Sequence, residues 1–236
     1  MLSDIELKER IEDLCKDFLS YLDWTLQPDR LDTPVRHFHI RTIKRLKSHS
    51  DIASVLRDEV FFDYLYATLV SWGMDSRGAK LCGFGKFMKS IRNSGTSIEK
   101  LARFSLRTLS QQHALNNGTF VEAVELMENL LLNVRVSETD RWLVANTKTL
   151  HHILPELIPP IDGKYTLRFF FDNTRVRRGA KSNPQFFTVF NEYLGIYDCV
   201  STQINSMVDV NTFNSSSTKV IDNAIIGYVR SNLKSS

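Results

Sequence analysis

Lys148 and Asp162 are the two residues of this chain whose types and setting point most directly to chemistry. Lys148 follows the polar run Ala145-Asn146-Thr147, and Asp162 follows a bend stiffened by Pro155, Pro159 and Pro160. Two apolar segments flank the polar run, Trp142-Leu143-Val144 and then Leu150 with Ile153-Leu154. The pattern predicts a helix, a tight polar turn and a second helix opening near Lys148. A lysine at a helix start faces the positive end of the helix, which disfavours its ammonium form. A neutral lysine amine adds to an electrophilic carbon and forms a Schiff base. A neighbouring carboxylate stabilises positive charge developing on a sugar carbon, or carries the proton. The plainer reading of the same pair is a turn lysine and an aspartate that caps the helix through Tyr165 and Arg168.

Binding asks less of these residues than catalysis does. Free amides at Asn146, Thr147 and Lys148 would hold a phosphate at a helix N-terminus. Lys164, Arg168, Arg175, Arg177, Arg178 and Lys181 would extend that positive surface along a polyanion. Asn146 tolerates a left-handed turn better than most residues with a side chain. The histidines point elsewhere: His37-x-His39 and the adjacent His151-His152 diverge around a helix and make poor chelates. No metal and no organic cofactor is indicated. The chain has no Walker loop, GxGxxG, GxSxG or HExxH motif, so the commonest nucleotide, hydrolase and zincin chemistries are not signalled.

The elements that must position these groups read as helices. Ser3-x-x-Glu6, Thr96-x-x-Glu99 and Thr119-x-x-Glu122 have the spacing of capping boxes, in which side chain and backbone satisfy each other reciprocally. They predict helices from residue 4, near 97–109 and near 120–133. Pro28 and Asp32-Thr33-Pro34 separate the first helix from VRHFHIRTIKRLK, whose Arg36, Arg41, Lys44, Arg45 and Lys47 form a solvated basic face. An apolar helix of Phe61, Phe62, Leu65, Leu69 and Val70 ends at Trp72-Gly73, and a link through Gly78, Gly83 and Gly85 leads to a helix at 84–93. Ser137 caps the entry to the central stretch. Asn183-Pro184 opens a helix closed by Gly195, another surrounds Val200, Ile204 and Met207, and Val220, Ile221, Ala224, Ile225 and Tyr228 stripe the last. Only Val134–Val136 and Val208–Val210 look extended.

With 236 residues, 42% of them hydrophobic and 24% charged, the chain can bury a large core. A formal net charge of +3 permits a polyanionic partner without demanding one. Cys15, Cys82 and Cys199 are odd in number and scattered, which fits buried thiols in a reducing compartment. The opening MLSDIELKERIEDL is charged throughout, unlike a signal peptide. No apolar run nears the ~18 residues that span a bilayer. The expectation is a soluble cytoplasmic protein with no membrane partner.

The layout of Asp140–Phe171, DRWLVANTKTLHHILPELIPPIDGKYTLRFFF, resembles the helix-hairpin-helix DNA glycosylase superfamily. Lys148 stands where the family has its Schiff-base lysine, and Asp162 in IPPID stands where it has its aspartate. YLYATLVSWGMDSRGAKL, residues 64–81, takes the place of the buried helix and substrate-lining loop that precede the hairpin. Val144 and Asn146 replace the hairpin glycines, the Lys148-to-Asp162 spacing is shorter, and no cluster-binding cysteines follow. The resemblance implies an all-α fold of about nine or ten helices in one globular unit of two intimate lobes, residues 1–54 with 156–236 and residues 55–155. It implies DNA as partner and base excision with Lys148 and Asp162 as catalytic residues. A non-enzymatic helical protein-interaction module, its hairpin eroded, is the alternative.

Overall fold

A computed structural model of the chain describes residues 2–26, 33–75, 80–113, 118–179 and 183–233. Pro28 and Asp32 of the expected break between the first two helices, Gly78 of the link and Lys181 of the basic loop lie outside them. The described residues are all-α, with thirteen helices. In chain order they are α1 (Asp4–Lys16), α2 (Phe18–Leu26), α3 (Thr33–Lys47), α4 (Ile52–Arg57), α5 (Glu59–Ser71), α6 (Phe84–Asn93) and α7 (Gly95–Leu101). Then follow α8 (Leu106–His113), α9 (Gly118–Asn133), α10 (Leu143–Ile153), α11 (Thr166–Phe171), α12 (Asn183–Met207) and α13 (Ser217–Asn232). No described helix is long and apolar enough to cross a membrane.

The count exceeds nine or ten because several expected helices are split or short. The Ser3–Glu6 capping box is present and opens α1. Thr96 does not cap: α7 begins at Gly95 after Ser94, which makes no side-chain cap bond, and the expected 97–109 helix divides into α7 and α8. Thr119 lies inside α9 rather than ahead of it. Gly195 does not end a helix either. α12 runs through it and breaks from helical geometry at Val200, where φ is −128°. Val134–Val136 forms no strand; its Val136 carbonyl accepts from Cys82 N–H at 3.0 Å beside an isolated Leu81–Ser137 bridge. Cys82 is buried, but Cys15 is only half-buried and Cys199 is exposed.

Helix α13 is the central post: every residue from Ser217 to Val229 is buried. Around it pack α2, α11 and α12, while α3 packs on α5 and α10, and α4 on α5 and α7. Residues 33–57 thus side with the middle of the chain rather than with its ends. α8 touches both α9 and α12 and links the two groups. α2 and α13 cross so closely that a Cβ at Gly227 would lie 1.9 Å from the Tyr21 carbonyl oxygen. Only a backbone shift relieves such an overlap, so Gly227→Ala is expected to destabilise the protein by about 3 kcal/mol, the upper end for an overpacked core. Denaturant unfolding measures this, and a change below ~0.5 kcal/mol would refute the close crossing.

Candidate active site

The polar run before Lys148 is helix, not turn. α10 passes through it without a break, with Asn146 N–H donating to Trp142 C=O at 2.9 Å. Asn146 and Thr147 are wholly buried. The Asn146 amide donates to the carbonyls of Leu131 at 3.0 Å and Val134 at 2.9 Å, satisfying groups that the end of α9 leaves open. The Thr147 hydroxyl donates back to Leu143 C=O at 2.8 Å. Their expected free amides for a phosphate are therefore absent, and their roles here are internal. Lys148 sits mid-helix, so the helix end does not bear on its ammonium. Val144 and Lys148, one turn apart, are the half-buried positions of an otherwise buried α10.

That face opens on a cavity of about 690 Å³. Lys148 and Asp162 both line it, as do Lys164 and Arg175. Asp162 Oδ1 accepts from Tyr165 N–H at 2.7 Å, so the carboxylate is pinned by the turn that precedes α11. Gly163 makes room for the next segment: a Cβ there would meet the Thr174 carbonyl oxygen at 2.7 Å. This close approach brings Arg175 to the rim. Arg168, Arg177 and Arg178 are not among the lining residues. Arg178 instead pairs with Asp140 at 3.7 Å, an exposed contact of little energetic weight.

Most of the remaining lining residues carry no local sequence signal of a site. Trp72, at the C-cap of α5, lies under Lys148, whose Nζ is 4.9 Å from the ring centroid. Lys219 Nζ is 5.7 Å from the same ring and 4.1 Å from the centroid of Phe213. Lys219 and Asp222, one turn apart on α13, form an ion pair at 2.5 Å with side chains 3% and 4% exposed. Asp222 Oδ1 has no hydrogen-bond partner among the described residues. Burial raises the Asp222 pKa, opposed by Lys219, with Asp162 raising and Lys148 lowering it further. The four groups thus share one electrostatic environment. A lysine and an aspartate at i,i+3, next to the apolar stripe of Val220, Ile221, Ala224 and Ile225, were the available signal for this pair.

Beneath Trp72 lies a buried histidine cluster whose members come from distant parts of the chain. The His39 ring stacks on Trp72 with centroids 6.0 Å apart and planes 18° apart. A carbonyl only accepts, so the 2.7 Å contact between His152 Nδ1 and Lys148 C=O places the proton on Nδ1. His152 Nε2 then accepts from His39 Nδ1–H at 2.9 Å, and His39 Nε2 accepts from the Ser215 hydroxyl at 2.7 Å. His151 Nδ1 likewise donates to Ile158 C=O at 3.0 Å. Burial is the leading cause that lowers all three, His152 to about 4, with Lys219 adding to it. His39 and His152 bond each other, His151 bonds Ile158 C=O and meets the Thr218 hydroxyl at 3.1 Å, and the neutral cluster backs Trp72 from behind the cavity wall. No group of three or more His, Cys, Asp or Glu among the described residues is arranged to hold a metal ion.

The cleft can therefore hold an anion along a rim where cations outnumber carboxylates, border a ligand with Trp72, Tyr165 and Phe213, and present an amine and a carboxylate to it. No protein-family model and no solved structure matches this chain.

Proposed function

We propose that the cleft receives a nucleotide turned out of DNA, and that Lys148 and Asp162 act on its sugar as in base excision. The observation that carries this reading is that Lys148, Asp162 and Trp72 line one cavity with Lys164 and Arg175 at hand. The cations would neutralise flanking phosphates, and the aromatic side chains of Trp72, Tyr165 and Phe213 would border a base taken out of the helix. Lys148 Nζ, as the neutral amine, would add to the C1′ aldehyde of a ring-opened abasic sugar. Loss of water from the adduct leaves an imine. Asp162 would carry the proton or stabilise the cationic carbon.

Borohydride trapping on duplex DNA containing an abasic site tests this. Hydride reduces the imine to a stable amine cross-link, which Lys148→Ala should abolish. Asp162→Asn should slow trapping at least tenfold while DNA affinity stays within about twofold, because only transition-state stabilisation is lost. Absence of a cross-link, together with no free-base release across a panel of lesions, would reject catalysis. DNA contact that ignores salt would favour the protein-interaction module, since phosphate contacts weaken steeply as salt rises. The large apolar side chains exposed among the described residues are Ile5, Leu19, Val60, Val70 and Val121. They are distributed over α1, α2, α5 and α9.

A further inference from the structure

Asp222 is the one carboxylate lining the cavity that is almost wholly buried, 3% exposed, against a half-buried Asp162. Its Oδ2 is held by Lys219 Nζ at 2.5 Å, and its Oδ1 has no hydrogen-bond partner among the described residues. An acceptor left open in this way is costly, and a partner that supplies the missing donor relieves the cost. Lys219 in turn fixes the carboxylate, because it rests on Phe213 and beside Trp72. Asp222, Lys219, Phe213 and Trp72 all line the cavity, with the unpartnered Oδ1 buried in its wall.

We propose that Asp222 Oδ1 reads the ligand here, accepting a hydrogen bond from a planar heterocycle that carries an N–H donor on its edge. The ligand class is an amino- or lactam-bearing nucleobase, and Asp222 with Lys219 is its recognition pair. This rests on the cleft taking nucleic acid and adds the choice of base to it. Asp222 makes no bond to the sugar and takes no part in the chemistry assigned to Lys148. The Tyr193 hydroxyl is the competing donor. It is buried without a partner among the described residues, and Asp222 is among the charges that raise its pKa, after burial itself.

The test uses the full chain and oligonucleotides built of abasic spacers with a single central base, either adenine, guanine or unsubstituted purine. These probes share their phosphates, and unsubstituted purine has ring acceptors but no N–H. Wild-type protein should bind the adenine or the guanine probe at least about tenfold more tightly than the purine probe, as one hydrogen bond to a charged acceptor provides. Asp222→Asn should abolish or invert that preference. The Lys219 ammonium draws the amide oxygen to itself and turns the NH₂ donor towards the base. Affinity for the spacer with no base should stay within about twofold. Equal wild-type affinity for the three base-bearing probes overturns the inference, and so does a preference that survives Asp222→Asn. If Asp222→Asn fails to fold, the wild-type series decides alone. A preference lost in Tyr193→Phe but kept in Asp222→Asn assigns the reading to Tyr193 and overturns it. If no probe binds, the nucleic-acid reading of the cleft falls and takes this inference with it; binding without discrimination removes this inference only.

Discussion

Between pH 7.5 and pH 5 three buried histidines are expected to remove up to about 6 kcal/mol of stability, with uptake of up to three protons on unfolding. The source is the buried cluster of His39, His151 and His152, each wholly buried and lowered from the usual histidine range, His152 to about 4. The sign follows from proton binding. Above about pH 6.5 these histidines are neutral in both states and contribute nothing to the pH dependence. As pH falls below that value the unfolded chain takes up protons that the folded cluster refuses, so stability falls with pH until the folded groups titrate as well. Each histidine contributes about 1.4 kcal/mol per pH unit in that window. Against a whole stability of about 5–15 kcal/mol, such a loss brings unfolding to roughly pH 5 at the low end of that range and lowers the denaturant midpoint at the high end.

The bond pattern gives the same answer independently. In the Ser215–His39–His152–Lys148 chain, protonating both rings would set two N–H groups against each other across the 2.9 Å His39–His152 contact, so the pair cannot take up both protons without breaking it. Asp222 works in the opposite direction, because the folded state, with its pKa raised, takes up that proton first. Asp58, lowered to about 2 chiefly by its bond from Arg45, adds its loss of stability only as pH falls below the usual carboxylate value. Denaturant unfolding at pH 7.5, 6 and 5 measures the slope, and His152→Asn should reduce it. An unfolding midpoint that does not move across this range would refute the neutral cluster.

Lys219→Met should cost about 3–5 kcal/mol at neutral pH, because it leaves the Asp222 carboxylate buried without its countercharge. The double variant Lys219→Met/Asp222→Leu should recover most of that loss, since replacing a whole buried pair with apolar groups is often neutral or better. Chemical denaturation of the three proteins decides. A single variant within ~1 kcal/mol of wild type would mean that water reaches the pair. A double variant as unstable as the single would mean that the pair holds α13 in place. Recovery in the double variant shows that the pair is kept for something other than stability, which agrees with its place in the cleft wall.

The sequence alone determined those features that depend on neighbours within a few residues. The Ser3–Glu6 box, the apolar spacing of α5, α6 and α13 and the Pro-rich bend before Asp162 set the all-α class and several helix limits, because helical periodicity and capping act over three or four positions. The assignment of Asn146 and Thr147 to a turn failed for the complementary reason. Polar residues read as turn when their partners are not in view, and the carbonyls that accept from Asn146 belong to the end of α9. The histidines diverge within α3 and within α10, yet folding brings His39 against His152 across 113 positions. Lys219 and Asp222 are adjacent by local spacing, but their burial depends on what packs around α13. Tertiary structure alone decided these points, since a buried polar group must find its partner wherever packing places one, and that distance is not written in the local pattern.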